Sequence, residues 1–158
     1  MLPANSHTAA FSKAIAIGLI LLAGLAMLSM SVRSASAGGR PLAAELSGIN
    51  EVPGSGDPDG NGTARLWLNQ GQAEVCYRLE VADVILPATG AHIHAAPVGV
   101  AGPIVVPLTP PNASGVSSGC VNADKELVKA IRQHSENYYV NVHTSDFPAG
   151  AVRGQLSK

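Results

Sequence analysis

Residues 63–82 read TARLWLNQGQAEVCYRLEVA, and this stretch decides the fold class. Apolar side chains occupy every second position in 64–68 and again in 75–81. Because successive side chains of a strand point to opposite faces, each run predicts a strand with one buried face. The short turn at 69–71 contains a glycine, so the two runs together predict an antiparallel β-hairpin.

Similar short segments lie on both sides of this hairpin, bounded by residues that favour turns. They predict further strands at 43–49, 91–95, 104–108, 115–121, 138–144 and 151–156. The segment 122–135 instead has apolar residues at helical spacing, and it predicts a short helix capped by Asn122 or Asp124. About eight short strands and one helix predict an all-β protein, a single Greek-key antiparallel β-sandwich. The alternation also predicts that Ile93, Val140 and Val142 are buried.

The first 37 residues have the features of a secretory signal peptide. Lys13 precedes an uncharged run at 14–30, and Ala35-Ser36-Ala37 follows as a small-x-small cleavage site. We therefore expect residues 1–37 to be removed, which leaves 38–158 as a single domain without a membrane span. The apolar run of 17 residues is at the lower limit for crossing a membrane, so an uncleaved N-terminal anchor is the alternative. Secretion or export to a periplasm is the expected localisation.

The charge balance excludes two classes of partner. The full chain has 10 basic and 11 acidic residues, and two of the basic ones, Lys13 and Arg33, lie in the first 37 residues. The remaining 8 basic and 11 acidic residues give 38–158 a net charge of −3. A weakly acidic domain has no electrostatic basis for binding nucleic acid or an anionic membrane surface.

Cys76 and Cys120 are the only cysteines, and they are 44 residues apart. An even cysteine count in an exported protein predicts a disulfide, with two free thiols or a soft-metal site as alternatives. The alternation places Cys76 on the face opposite the core. Its partner is therefore expected on the outer face of the sheet or in a loop that covers it.

Three histidines form a candidate metal site. His92 and His94 are two residues apart on a predicted strand, so both imidazoles lie on one face with Cα atoms ~6.5–7 Å apart. Metal–nitrogen bonds of about 2 Å can bridge that distance. His143 shares the outer face of the predicted strand 138–144, and imidazole-only sites suit copper or zinc. The alternative is that these side chains only form hydrogen bonds to nearby loops.

Short motifs along most of the chain resemble the CHRD domain, a module named after chordin and also found in bacterial secreted proteins. In order, they are Ala44-Glu45-Leu46-Ser47-Gly48, Glu51-Val52-Pro53, Gly62-Thr63-Ala64, Ala91-His92-Ile93-His94, Gly102-Pro103-Ile104-Val105, Tyr138-Tyr139-Val140-Asn141-Val142-His143-Thr144, Phe147-Pro148-Ala149-Gly150 and Val152-Arg153-Gly154-Gln155-Leu156. The resemblance covers about residues 43–157. In chordin the module belongs to a protein that sequesters a growth factor, a role that nothing in this chain supports.

The CHRD family is in turn similar to copper/zinc superoxide dismutase, a Greek-key β-sandwich. That enzyme binds copper through an H-x-H pair and a later histidine in a V-x-H context, and His92, His94 and His143 match both the order and the setting. The resemblance therefore implies a three-histidine copper site. The enzyme's bridging histidine, zinc loop and substrate-steering arginine have no convincing match. His134 lies in the predicted helix, where we expect it at the surface, and Arg153 lies in the last strand motif.

Three functions remain open from the sequence. The first is an exported, non-enzymatic CHRD module that binds a copper ion or an unidentified protein partner. The second is a dismutase-type redox enzyme, which would need a bridging imidazole beside the other three. The third is a structural or protein-interaction domain without metal. Metal analysis with a His143→Ala control would separate the first from the third.

Overall fold

The computed structural model describes residues 41–158 and contains eight strands and one α-helix in that range. These elements are β1 (Leu42–Ser47), β2 (Asn61–Asn69), β3 (Glu74–Ala82), β4 (Gly90–Ala95), β5 (Ile104–Leu108), β6 (Val116–Asn122), α1 (Lys125–Gln133), β7 (Tyr138–His143) and β8 (Val152–Gln155). The expected signal peptide at 1–37 lies outside the described residues. Within 41–158, no helix is both long enough and apolar enough to cross a membrane.

All strand pairs are antiparallel, in the order β5-β4-β7-β8-β1-β2-β3-β6. The middle of this order has the fewest paired residues, because β8 and β1 share only the pair Ser47 and Arg153 within the strands, with one isolated bridge just beyond β8. The sheet therefore divides into a first half (β5, β4, β7 and β8) and a second half (β1, β2, β3 and β6). The chain crosses between these halves after β3, β5 and β6, as in Greek-key connections. The prediction of an all-β sandwich with one short helix is confirmed.

The inner faces of the two half-sheets form one hydrophobic core. Its fully buried members include Leu66, Leu79, Ile93, Val140 and Val142, all at 0% exposure. Burying each such side chain contributes about 1.5–3 kcal/mol of favourable transfer free energy. The predicted burial of Ile93, Val140 and Val142 is therefore confirmed. Because side chains alternate along a strand, His92, His94 and His143 must lie on the opposite, outer face of the first half-sheet.

The helix α1 is shorter than the predicted segment 122–135. It begins after Asp124, whose side chain accepts hydrogen bonds from the backbone N–H groups of Glu126 (2.9 Å) and Leu127 (3.0 Å). Of the two caps considered, Asp124 is thus the one used. The helix contributes Val128 and Ile131 to the core.

The predicted disulfide is present. Cys76 on β3 and Cys120 on β6 are direct cross-strand partners, and their sulfur atoms are bonded. Both side chains lie on the outer face of the second half-sheet, because the neighbouring Val75 and Tyr77 point into the core. The disulfide therefore joins the edge strand β6 to the sheet.

The two ends of the domain meet in an isolated antiparallel bridge. The Ala43 N–H donates to the Ser157 carbonyl (2.9 Å), and the Ser157 N–H donates to the Ala43 carbonyl (2.8 Å). The chain therefore enters and leaves the domain side by side.

Candidate metal centre

The register of β4 against β7 brings the three histidines together. His92 is opposite Asn141, and Gly90 is opposite His143, so His92 and His143 are diagonal neighbours. At Gly90, a Cβ atom would come within 3.3 Å of both the His92 and the His143 rings. The glycine therefore leaves these two imidazoles room to approach each other. One ring nitrogen from each of His92, His94 and His143 lies within 4.8 Å of the other two.

Backbone carbonyls fix the tautomers of two of these rings. The Nδ1–H of His94 donates to the Gly102 carbonyl (2.8 Å), and the Nδ1–H of His143 donates to the Pro148 carbonyl (3.1 Å). In a neutral imidazole, the other nitrogen then carries a free lone pair. Both rings consequently present Nε2 as the atom available to a metal ion. Carbonyl partners of this kind commonly orient the histidines that bind metals.

The third ring, His92, faces the lone pair of His143. Its Nδ1 is 3.1 Å from His143 Nε2, and because that nitrogen is an acceptor, His92 Nδ1 is the donor without metal. Binding a metal through Nδ1 requires the proton of His92 to move to its Nε2. A metal ion bound between His92 Nδ1 and His143 Nε2 would then take the place of this hydrogen bond.

The surroundings of His92 and His143 favour the neutral form of both imidazoles. Burial, together with the neighbouring His143 and His94, lowers the pKa of His92 from 6.5 to about 4. Burial also lowers the pKa of His143, although the hydrogen bond to the Pro148 carbonyl opposes this shift. Neutral imidazole is the form that binds metals.

A buried polar layer extends from the three histidines across the outer face of the first half-sheet. The His94 ring stacks on Tyr139 with a centroid distance of 4.7 Å and an interplanar angle of 10°. The guanidinium carbon of Arg153 is 3.4 Å from the centroid of the same Tyr139 ring. Arg153 is only 2% exposed, so it cannot steer a substrate from solvent.

The sequence analysis did not identify this layer, because alternation gives the face on which a side chain lies but not its burial. Tyr139, Asn141 and Arg153 share the outer face with the histidines by alternation alone, and all three are buried. Outer-face polar residues are usually solvated, so their burial was not expected. Tyr139 and Arg153 are covered by the loop 97–102, which forms hydrogen bonds to both side chains, whereas Asn141 faces the Glu51 carboxyl.

A buried acid, Glu51, lies beside this layer. Burial raises its pKa from 4.5 to about 7, while the nearby positive charge of Arg153 acts in the opposite direction. Its side chain is held closely, because a Cβ at Gly150 would lie 2.5 Å from the Glu51 carboxyl carbon. Glu51 belongs to the Glu51-Val52-Pro53 motif, but its burial and raised pKa were not expected from that motif.

His134 is the remaining histidine after residue 37, and its side chain lies in solvent rather than in the candidate metal site. It follows the last residue of α1, its side chain is 63% exposed, and its Nδ1 is 3.6 Å from Glu136. The expectation that His134 is a surface residue is confirmed.

Comparison with known proteins gives one finding about the family. The sequence model of the CHRD domain matches residues 42–156. No curated protein sequence matches the chain significantly.

Proposed function

Because the chain belongs to the CHRD domain family through residues 42–156, we propose that it is a CHRD binding module that holds one copper ion through His92, His94 and His143. The ligand atoms are His92 Nδ1, His94 Nε2 and His143 Nε2. The order H-x-H followed by V-x-H, shared with copper/zinc superoxide dismutase, supports copper as the metal.

The observation that carries the proposal is the unsatisfied lone pair of His94 Nε2. This atom is buried and has no hydrogen-bond partner among residues 41–158. A buried acceptor without a partner costs about 1–3 kcal/mol. A metal ion bonded to this lone pair would remove that cost. The same nitrogen lies within 4.8 Å of the ligand nitrogens of His92 and His143, as a shared ion requires.

Three neutral imidazoles suit copper or zinc and leave one coordination position for water or for a partner's ligand. We therefore propose binding or delivery of copper in preference to dismutation. A dismutase-type site would need a fourth imidazole beside the other three. His134, the one other histidine in 38–158, has its side chain in solvent at the end of α1.

Calorimetric titration of the metal-free protein with copper at neutral pH tests the proposal. We expect one copper ion to bind the wild type, and the His92→Ala/His143→Ala variant to bind more than about 100-fold more weakly, since even outer partners of metal ligands are worth 10–100-fold. His134→Ala is the matched control, because it removes an exposed imidazole outside the site. It should bind as tightly as the wild type.

Equal copper affinity in the wild type and the double variant would contradict the proposal. A parallel titration with zinc identifies the preferred metal. Superoxide consumption by the copper-loaded wild type, lost in His143→Ala, would instead favour the dismutase-type enzyme.

We also propose that the domain functions outside the cytoplasm. The Cys76–Cys120 disulfide supports this, because structural disulfides persist in oxidising compartments. Mass analysis of the protein from its native host tests it. A mature chain that begins at residue 38 is expected, and a reduced, unprocessed chain would contradict the proposal.

A further inference from the structure

Tyr139 lies between a candidate copper ligand and a buried cation. It is on β7, whose two neighbours are β4, which carries His94, and β8, which carries Arg153. The ring therefore has the imidazole on its β4 side and the guanidinium on its β8 side, at 4.7 Å and 3.4 Å respectively. Cation–π contact and stacking together restrict the orientation of all three groups.

The same three residues also hold the loop that sets the His94 tautomer. Arg153 donates from one terminal nitrogen to the carbonyls of Pro97 (3.2 Å) and Val100 (2.9 Å). The Gly102 N–H donates to the Tyr139 hydroxyl (3.2 Å), and the Gly102 carbonyl accepts from His94 Nδ1 (2.8 Å). The position of that last carbonyl thus depends on the bonds that Arg153 makes to residues 97–100.

From this arrangement we propose that Arg153 is a positioning residue for His94. Arg153 anchors the loop 97–102 and supports Tyr139, and these two contacts keep His94 in the tautomer that presents Nε2. The inference rests on the proposed copper site, because it assigns a role in preparing one of its ligands.

Arg153 also brings a permanent positive charge close to the site. Arginine stays protonated, and Arg153 forms no ion pair within the described residues. Glu51 is close enough to interact with Arg153, and because burial raises its pKa to about 7, its carboxylate offsets this charge only above that pH. A nearby cation disfavours copper(II) more than copper(I), because its repulsion grows with the charge of the ion. Arg153 should therefore raise the preference of the site for copper(I).

Three variants separate the two effects. Arg153→Met removes both the charge and the hydrogen bonds to the loop. Arg153→Lys keeps the charge but loses the planar fork that reaches two carbonyls. Arg65→Met is the matched control, since it removes an exposed arginine from the second half-sheet.

The first readout needs no metal. Nitrogen-15 spectra of the metal-free protein report which nitrogen of each imidazole carries the proton. We expect the wild type and Arg65→Met to show His94 protonated at Nδ1 alone, and both Arg153 variants to show a mixture of tautomers. His143 is an internal control, because its Nδ1–H donates to Pro148, outside the loop 97–102.

The second readout is the ratio of copper(I) to copper(II) affinity. We expect Arg153→Met to reduce this ratio roughly tenfold, the size of effect that a unit charge at ~10 Å has for an effective dielectric constant of about 20. Arg153→Lys should keep the ratio near that of the wild type. If Arg153→Met does not fold, Tyr139→Leu replaces it in the tautomer measurement, and there too a mixture at His94 is expected.

An unchanged His94 tautomer in folded Arg153 and Tyr139 variants would overturn the positioning role. An unchanged copper(I) preference in Arg153→Met would overturn the effect of the charge. Failure of the wild type to bind copper would overturn the proposed function instead, and the metal-free spectra would still decide whether Arg153 positions His94.

Discussion

At the scale of single residues, His92 and His143 show how burial keeps an imidazole in the neutral form that the proposed copper site requires. Their pKa values lie below 6.5, and that of His92 is about 4. Protons therefore compete with copper for His92 only as the pH approaches 4, well below the ordinary histidine pKa of 6.5. We expect affinity to fall gradually between pH 6.5 and 4, as measured by titration at several pH values. Full release of copper already at pH 6.5 would contradict the low pKa of His92.

Glu51 makes the folded state less stable as the pH rises, whereas the lowered pKa values of His92 and His143 make it less stable as the pH falls. The folded pKa of Glu51, about 7, exceeds the unfolded value of 4.5, so its favourable contribution is complete below pH 4.5 and is lost as the pH rises through 7. We expect Glu51→Gln to remove this loss, which is on the order of 2 kcal/mol between pH 5 and pH 8.5. Thermal unfolding at both pH values measures it.

The control for Glu51 is Glu45→Gln, which alters an exposed acid on β1. Its stability relative to the wild type should be the same at both pH values. If Glu51→Gln shows the same pH dependence as the wild type, the buried carboxyl does not prefer its neutral form.

At the scale of elements, the edge strand β6 depends on a covalent link as well as on its pairing with β3. Closing a loop between residues 44 apart stabilises a fold by about 4 kcal/mol on the chain-entropy model. We expect Cys76→Ala/Cys120→Ala to lower the free energy of unfolding by roughly that amount. Denaturant unfolding of both proteins measures the difference.

The same variant should leave copper affinity unchanged. The disulfide lies on the outer face of the second half-sheet, whereas the three histidines lie on the outer face of the first. A loss of stability below about 1 kcal/mol would contradict the chain-entropy estimate. A parallel loss of copper binding would contradict the separation of the two features.

Individual strands could be predicted from the sequence because their alternation is local. The strand at 104–108 has the predicted bounds, and the one at 138–144 ends one residue earlier than predicted. The shared face of His92 and His94 also followed from strand geometry alone. The burial of Tyr139 and Arg153 could not be predicted, because it depends on the loop between β4 and β5, which forms hydrogen bonds to both.

At the scale of the whole molecule, the two half-sheets share one core but carry separate features on their outer faces. Within the named strands, the pair Ser47 and Arg153 joins their ladders, and the bridge between Ala43 and Ser157 adds one pair beyond the end of β8. Arg153 is also the residue that faces Tyr139 beside the histidines. A substitution at Arg153 therefore changes a side chain that lies at the junction of the two halves as well as beside the candidate copper site. For this reason the tautomer of His94 is a better measure of its role than stability.

The bridge between Ala43 and Ser157 holds the two ends of the domain next to each other, so the strands could keep their places in the sheets if the chain began at a different strand. A short peptide can join the two ends, and the chain can be opened at the exposed turn between Gly71 and Gln72. We expect such a circular permutant to keep the sandwich and its copper affinity, as circular dichroism and titration would show. Loss of the fold on opening this turn would mean that the β2–β3 hairpin must be continuous for folding. For the same reason, the domain could sit inside a loop of another protein without pushing that loop's ends apart.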